Sequence, residues 1–327
     1  MLTDADQPRR FLVLGAAGFL GAHLCRELLQ RGHSICWYDN MSTGQSARMK
    51  SLSWQFDDRV VEFHSLDTAR SIDGIFHLAS PASPAQYWKP ENVPSVIEAN
   101  GTLTPRVIAL AIQNACPLIF ASSSEVYGDA DVIPTPETYV GRVNPLGPRA
   151  HYDTGKLFSE GAISASAALG LSAGIVRFFN VYGPGMSLND GRLVPSVINA
   201  LLHGGQVTVE GDGSQTRSLT YVDDAIAGLL AVANRAQILS NAWDVFNIGN
   251  PEEVSVLDIV KRLVLRWGRD PELAIRYLPA RQEEITRRVP DVRKARRVLR
   301  WKPKVGVGEG LDATAAWYRA GRYEEES

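Results

Sequence analysis

Short apolar runs alternate with longer amphipathic segments along the first half of the chain. The long segments repeat apolar positions at helical spacing, which predicts helices over Leu20–Gln30, Val93–Asn114 and Asp153–Leu169. The short runs are rich in Val, Ile and Phe, which favour strands. The predicted strands are Phe11–Gly15, Ile35–Asp39, Val60–His64, Gly74–Ala79, Leu118–Ser122 and Ala173–Phe178. Strands and helices in this alternation predict an α/β protein with a doubly wound parallel sheet.

The pattern changes after Asn180, where stretches rich in Gly, Pro and Asn separate shorter elements. From Pro251 onwards the spacing of apolar residues is mainly helical. We therefore predict two domains. The larger comprises residues 1–180 with a return segment about 218–250, and the smaller, mostly helical one comprises residues 181–217 and 251–327.

Composition excludes several classes of protein. The 327 residues are 45% hydrophobic and 21% charged, as in an ordinary globular enzyme or binding protein. A formal net charge of -2 gives no field that would hold nucleic acid or an acidic membrane surface. The first ten residues carry acids and no apolar stretch, and no later run is long enough to span a bilayer, so we expect a cytoplasmic protein.

Cysteine and histidine usage predicts neither disulfides nor a metal site. The three cysteines, Cys25, Cys36 and Cys116, form no CxxC pair, and small buried apolar positions are their expected role. The six histidines also lack the spacing of metal ligands.

A glycine-rich turn joins the first predicted strand to the first predicted helix. It reads Gly15-Ala16-Ala17-Gly18-Phe19-Leu20-Gly21, and glycines there let backbone N–H groups approach a pyrophosphate at the helix N-terminus. The second strand ends in Asp39, at the distance expected for an acid that accepts from the adenosine ribose, and no arginine follows it to pair with a 2′-phosphate. This Rossmann-like pattern predicts NAD as cofactor in preference to NADP.

Two later strand ends should face the same crevice, because the carboxyl ends of parallel strands share one edge of the sheet. Asp67 follows one strand, and Leu78-Ala79-Ser80 ends the next. We assign them to the cofactor, although an exposed Asp in a loop is commonly a helix cap instead.

Tyr152 and Lys156 stand four positions apart at the head of a predicted helix, so both side chains can point the same way. A nearby ammonium stabilises a phenolate, which makes the tyrosine a usable base near neutral pH. The preceding strand ends in Ser122-Ser123-Ser124-Glu125, where a serine can hydrogen-bond a substrate hydroxyl. Together these residues predict hydride transfer between a secondary alcohol and a nicotinamide.

These motifs, with the segment Arg177-Phe178-Phe179-Asn180-Val181-Tyr182-Gly183-Pro184, resemble the extended short-chain dehydrogenase/reductase family over nearly the whole chain. Further segments resemble the nucleotide-sugar decarboxylases of that family, which convert UDP-glucuronate to UDP-xylose. They are His77–Pro84, Ser124–Asp129, Asn144–Asp153, Asn189–Arg192 and Gly213–Arg217. The resemblance also implies a homodimer joined through a four-helix bundle that includes the Tyr152 helix.

The resemblance assigns roles to individual residues. The implied catalytic residues are Ser123, Ser124, Glu125, Tyr152, Lys156 and Arg288, the last of which would assist protonation. The implied cofactor contacts are Gly15, Gly18, Phe19, Leu20, Gly21, Asp39, Asn40, Asp67, Leu78, Ala79, Ser80, Asn100, Tyr152 and Lys156. The implied nucleotide-sugar contacts are Pro84, Tyr87, Glu125, Arg149, Asn180, Arg192 and Arg217.

Three features weaken parts of this assignment. Arg288 lies in an arginine-rich stretch that a solvated helix and its lead-in would also explain. The chain also departs from the family pattern at Gly185 and Val289, where the resemblance implies basic residues. The first of these positions directly follows the Gly-Pro pair that ends the Arg177 segment, and the second directly precedes Pro290. Those departures bear on the diphosphate contacts and on the substrate.

The resemblance implies a redox-neutral reaction. Tyr152 takes the C4 hydroxyl proton while hydride passes from C4 to NAD, and the product is a 4-keto uronic acid. As a β-keto acid it loses its carboxylate as carbon dioxide, the enol that remains is protonated, and reduction at C4 then regenerates NAD. The protein supplies positioning and electrostatics.

Three alternatives remain open. A 4,6-dehydratase should carry an Asp-Glu pair where this chain has Ser124-Glu125. A UDP-glucuronate 4-epimerase should place a carboxylate-clamping arginine near residues 185–188, although Arg149 or Arg192 could substitute for it. A catalytically inactive NAD or nucleotide-sugar binding module is disfavoured, because Ser123, Tyr152 and Lys156 are all present.

Overall fold

A computed structural model describes residues 7–87, 89–279 and 287–321, without the side chains of Thr68, Gln86 and Tyr87. Its centre is a seven-stranded parallel sheet with the strand order β11-β6-β5-β4-β1-β2-β3, flanked by three two-stranded pairs. The strands are β1 Arg10–Leu14, β2 Ser34–Tyr38, β3 Val60–Glu62, β4 Gly74–His77, β5 Leu118–Ser123, β6 Ala173–Phe178, β7 Val181–Tyr182, β8 Val207–Glu210, β9 Thr216–Ser218, β10 Thr220–Tyr221, β11 Trp243–Ile248, β12 Glu253–Ser255 and β13 Ile275–Leu278.

Helices connect these strands and cover both faces of the sheet. The predicted helix over Val93–Asn114 is α4 and α5 joined by a π-helical segment, Glu98–Leu103. The α-helices are α1 Phe19–Gln30, α2 Ser46–Phe56, α3 Pro84–Tyr87, α4 Val93–Ile97, α5 Thr104–Gln113, α6 Ala150–Ser166, α7 Leu193–Leu202, α8 Val222–Gln237, α9 Val256–Arg266, α10 Pro271–Ala274 and α11 Val307–Arg319.

Alternate residues of each strand point to opposite faces of the sheet. In β1, Phe11 and Val13 join the core cluster beneath α1, α2 and α8, whereas Leu12 and Leu14 join the cluster beneath α5 and α6. Burial on both faces explains why these strands read as continuous apolar runs. The predicted doubly wound parallel sheet is confirmed.

A third apolar cluster gathers residues from the second half of the chain. Helices α7, α9 and α11 supply most of it, and the paired strands β8 and β13 close one side. The sequence predicted the helices but not the short strand pairs. It also missed β11, which lies in the predicted return segment and pairs with β6.

Cys25, Cys36 and Cys116 are all buried and free, as the sequence predicts. Within the described ranges, no helix has the length and apolar character needed to cross a bilayer. The same ranges contain no group of His, Cys, Asp and Glu arranged to hold a metal ion.

Candidate active site

A cleft of about 300 Å³ opens at the carboxyl ends of the central strands. Many of the residues predicted from sequence line it, together with residues the sequence did not single out. The predicted residues in its wall are Gly15, Gly18, Phe19, Leu20, Gly21, Leu78, Ser80, Pro84, Ser123, Ser124, Glu125, Tyr152, Lys156, Asn180 and Arg192.

The glycine loop forms one end of the cleft. Gly15 has a φ of +79°, and a Cβ there would lie 2.7 Å from the backbone nitrogen of Ala79. A Cβ on Gly21 would lie 2.0 Å from the carbonyl oxygen of Gly15. Gly18 is different, because its Cβ would meet only that same carbonyl, at 3.2 Å, and it caps the N-terminus of α1. The loop therefore packs tightly against β4 and leaves the start of α1 open to a ligand.

Asp39, which directly follows β2, holds the glycine loop in place through a hydrogen bond. Its Oδ2 accepts a hydrogen bond from the Ala17 N–H at 3.0 Å, and its Oδ1 accepts one from the Met41 N–H at 2.9 Å. Burial raises the pKa of Asp39, while the two backbone donors act in the opposite direction. The next residue, Asn40, is exposed and accepts from the Ser42 N–H through its side chain.

Three other predicted cofactor residues lie outside the cleft wall. Asp67 is exposed on a short 3-10 turn, where Ser65 caps it. Ala79 backs the glycine loop at Gly15. Asn100 is fully buried in the π-helical segment and donates to Ser80 Oγ at 3.2 Å, so it supports a residue that does line the cleft.

Tyr152 and Lys156 lie one turn apart on the buried face of α6. The Lys156 Nζ donates to the Ala121 carbonyl at 2.9 Å and lies 5.9 Å from the centre of the Tyr152 ring. Burial lowers the pKa of Lys156 to about 7, against an opposing effect of Glu160. The hydrogen bond to Ala121 holds the Lys156 Nζ beside the phenol, and in its protonated form its charge favours the phenolate.

Strand β5 brings the serines to the same place. Ser123 Oγ accepts from the Glu125 N–H at 3.2 Å, and Ser124 is buried. Ser122, which also borders the cleft, donates to Glu160 Oε1 at 2.6 Å. Glu160 also binds Arg177 of β6 through both carboxylate oxygens, so α6 is fixed to two strands behind Lys156.

Glu125 is the centre of a buried charge network. Arg288 donates to its Oε1, and the Arg149 Nη2 lies 2.7 Å from its Oε2. Arg149 also lies 3.4 Å from Asp153 Oδ2. Burial alone would raise the pKa of Glu125, but the two arginines outweigh it and hold that pKa below its usual range. Burial and the Glu125 charge raise the pKa of Asp153 to about 6.

The predicted nucleotide-sugar residues lie in several places. Asn180 and Arg192 line the cleft, and Arg192 forms a bidentate pair with Asp190. Arg217 lies on β9 and donates to the Thr216 carbonyl, outside the cleft wall. Tyr87 ends α3, but its side chain lies outside the described residues.

Several cleft residues had no signal in the sequence that singled them out. The motifs Asn189–Arg192 and His77–Pro84 could have indicated Asn189, Asp190 and Ser83, whereas the others belong to no motif. The additional wall residues include Thr43, Gln45, Arg48, Ser83, Ser187, Asn189 and Asp190.

A second hollow, of about 710 Å³, lies between α2 and the edge strand β3. Trp37, Met49 and Trp54 are among the residues that line it, and none of the predicted catalytic residues does. Its size therefore does not make it the reactive site, and the smaller cleft is the candidate active site.

Comparison with known proteins agrees with this geometry. Residues 11–249 match the model of the NAD dependent epimerase/dehydratase family, and the chain belongs to that family. Among curated relatives, UDP-glucuronic acid decarboxylase 1 from Xenopus tropicalis is 38% identical over 320 residues, which cover 97% of this chain and 74% of the relative.

Two solved structures illustrate the shared fold. UDP-glucose 4-epimerase from Thermotoga maritima, solved with UDP-glucose, is 27% identical with a TM-score of 0.82, and the match covers 96% of this chain and 99% of that one. MoeE5, solved with UDP-glucuronic acid and NAD, is 31% identical with a TM-score of 0.77, and the match covers 95% and 99%.

Proposed function

We propose that this protein is an NAD-dependent decarboxylase that converts UDP-glucuronate to UDP-xylose. The observation that carries the proposal is the pairing of Glu125 with both Arg149 and Arg288 at the reactive end of the cleft. The curated relative from Xenopus tropicalis, similar over 97% of this chain, bears the name of that activity.

The residues of the cleft suit NAD. The open start of α1 at Gly18 offers backbone N–H groups to a diphosphate, and the tight packing at Gly15 and Gly21 keeps the loop close to the sheet. Asp39 holds the Ala17 N–H and provides acceptors at the end of β2, where the adenosine ribose would lie. When bound there, NAD supplies the acceptor and later the donor of hydride at C4 of the sugar.

Tyr152 is the proposed base for the C4 hydroxyl, with Lys156 favouring its phenolate. Ser123, whose hydroxyl lies at the end of β5, would hold the same substrate hydroxyl in place. Oxidation at C4 makes the sugar a β-keto acid. The bond between C5 and its carboxylate can then break, because the electron pair of that bond flows into the ketone. Carbon dioxide leaves, and the resulting enolate takes a proton at C5 before hydride returns to C4.

The arginines of the site are already paired with carboxylates of the protein, and this pairing favours loss of the substrate carboxylate over its retention. A bidentate arginine stabilises the carboxylate anion that decarboxylation destroys. Arg149 and Arg288 are both paired with Glu125, and Arg192 is paired with Asp190. A substrate carboxylate beside this network therefore lies near the anionic Glu125 and is not bound by an arginine dedicated to it.

The nucleotide end of the substrate would lie on the other side of the cleft. Asn180, Arg192 and Pro84 line the cleft and are the residues we assign to this end of the substrate. We assign residues 181–217 and 251–327 to a nucleotide-sugar domain, and the separate apolar cluster of α7, α9 and α11 supports that division.

The direct test supplies the purified protein with NAD and UDP-glucuronate labelled with carbon-13 in the carboxylate. Labelled bicarbonate and UDP-xylose should appear in NMR spectra in equal amounts. A Tyr152→Phe variant serves as the inactive control. UDP-galacturonate accumulating without bicarbonate would identify a 4-epimerase and overturn the proposal.

We also propose a homodimer formed by the helical surface of α4, α5 and α6. Ile97 is 53% exposed on α4 and Phe158 is 52% exposed on α6, which are large values for apolar side chains on neighbouring helices. Light scattering should give the mass of a dimer, and Phe158→Glu should give a monomer. A wild-type monomer at micromolar concentration would contradict the proposal.

The proposed location is the cytoplasm. The three cysteines are free and buried, which suits a reducing compartment. Fractionation of cells that produce the tagged protein should recover it with cytoplasmic markers, and recovery with secreted or membrane fractions would contradict this location.

A further inference from the structure

Arg48 is a buried cation in the wall of the active-site cleft. It lies in the first turn of α2, is 9% exposed, and lines the cleft together with the glycine loop. Burial of a guanidinium is costly unless charged or polar partners compensate it, so such a residue marks a place where charge is needed.

Hydrogen bonds to backbone carbonyls help to hold the Arg48 guanidinium. One N–H group donates to the carbonyl of Ala17 in the glycine loop at 3.4 Å, and another donates to the carbonyl of Gly185. Arg48 therefore joins the glycine loop to the segment that follows Gly183-Pro184. Gly185 has a φ of +79°, a conformation that favours glycine, and it has no side chain to offer a ligand.

The distribution of charge along the cleft makes Arg48 distinctive. The loop from Gly15 to Gly21 contains no charged residue. Among the described residues that line the cleft, the other cations are Lys156, at the reactive end, and Arg192, which is paired with Asp190. Of the cleft-lining residues that the structure describes, Arg48 is thus the one that places a formal positive charge beside the glycine loop.

We propose that Arg48 binds the diphosphate of the dinucleotide, supplying from α2 the positive charge that Gly185 cannot supply. This inference rests on the proposed use of NAD. A guanidinium offers several N–H donors in one plane, which suits two phosphate groups, and the backbone N–H groups of the loop contribute only partial charges. The contact with Ala17 assigns the charge to the dinucleotide and not to the sugar nucleotide.

The test compares Arg48→Met, which keeps much of the aliphatic stem, with wild type by calorimetry. NAD should bind about 10–100-fold more weakly to the variant, since a charge-assisted contact is lost. Adenosine, which lacks phosphate, and UDP should bind both proteins within about twofold, as expected for ligands that make no use of this charge. Lys50→Met, an exposed change on the same helix, should leave NAD affinity unchanged.

Two further measurements separate a role of Arg48 in NAD binding from a purely structural role: the affinity of the Arg48→Lys variant and the dependence of NAD affinity on salt. The lysine variant should recover part of the NAD affinity, and added salt should weaken NAD binding more in wild type than in Arg48→Met. Equal losses of NAD and adenosine would show a structural role for Arg48, and a loss confined to UDP would assign the charge to the sugar nucleotide. Either result, or unchanged NAD affinity, overturns this inference. Failure of wild type to bind NAD would instead overturn the proposed function.

Discussion

Arg149 binds Glu125 across the active site, with its Nη2 2.7 Å from Glu125 Oε2. Arg149 precedes α6, while Glu125 follows β5, so this ion pair joins the two elements that carry the proposed catalytic residues. Arg288 completes the pairing from the far end of the sequence. The carboxylate is therefore held in one position and in its ionised form.

Glu125→Gln should lower both turnover and stability. Removing one partner of a buried ion pair commonly costs about 3–5 kcal/mol, and we expect roughly 3 kcal/mol here because Arg149 keeps some exposure to solvent. Urea denaturation measures the change. Asp312→Asn is the matched control, since Asp312 also binds two arginines, Arg262 and Arg266, but at the surface. That variant should lose less than about 1 kcal/mol, and equal losses would contradict the role given to burial.

Asp153 should make stability depend on pH. Burial and then Glu125 raise its pKa from 3.8 to about 6, so between those values the folded protein holds a proton that the unfolded chain has released. The stability associated with this proton is lost as pH rises through that window. When the pH rises from 5 to 7, the free energy of unfolding should therefore fall less for Asp153→Asn than for wild type. Urea denaturation at several pH values measures this free energy. If it changed with pH by the same amount in both proteins, the raised pKa of Asp153 would be contradicted.

Tyr152→Phe should fold normally and bind NAD, but turn over about 10²–10⁴-fold more slowly, because general-base catalysis contributes about that much. Lys156→Met should cost a similar factor, and the double variant should be little worse than either single one, since residues that act as a unit are not additive. Steady-state rates measure this. Near-normal turnover of Tyr152→Phe would remove the tyrosine from the mechanism.

Asp39→Asn should weaken NAD binding while leaving UDP binding unchanged. Asparagine is no longer a charged acceptor for the adenosine ribose, and a hydrogen bond to a charged group is worth about 1.5–3 kcal/mol, or roughly 10–100-fold in affinity. Asp67→Asn is the comparison, because Asp67 is largely exposed. Its effect on NAD affinity should be smaller. Calorimetry that finds equal losses of NAD and UDP would contradict the assignment of Asp39.

The sequence predicted the central architecture because that architecture depends on local patterns. Apolar runs locate β1 to β6 to within about two residues, and the glycine turn locates the start of α1. Strand β11 was missed, since its apolar run is interrupted by the polar residues Asp244 and Asn247. The short strand pairs depend on partners distant in sequence, which no local pattern reveals.

The candidate site was predictable only in part. Parallel-sheet topology brings strand ends together, which explains why Ser123 and the glycine loop share a cleft. The pairing of Glu125 with Arg288, 163 positions apart, could be suspected only by resemblance. Arg48 has no motif at all, because its importance comes from the position of α2 against Gly185.

Glu160 lies two turns beyond Tyr152 on the same face of α6 and is bound to Ser122 and Arg177. A rigid helix transmits a displacement along its axis from one end to the other. Substitutions at Glu160 should consequently alter the distance between Tyr152 and its substrate without touching either. A screen for impaired activity would then recover positions remote from the reacting atoms, which act through the position of the helix and, at Glu160, also through the effect of its charge on the pKa of Lys156.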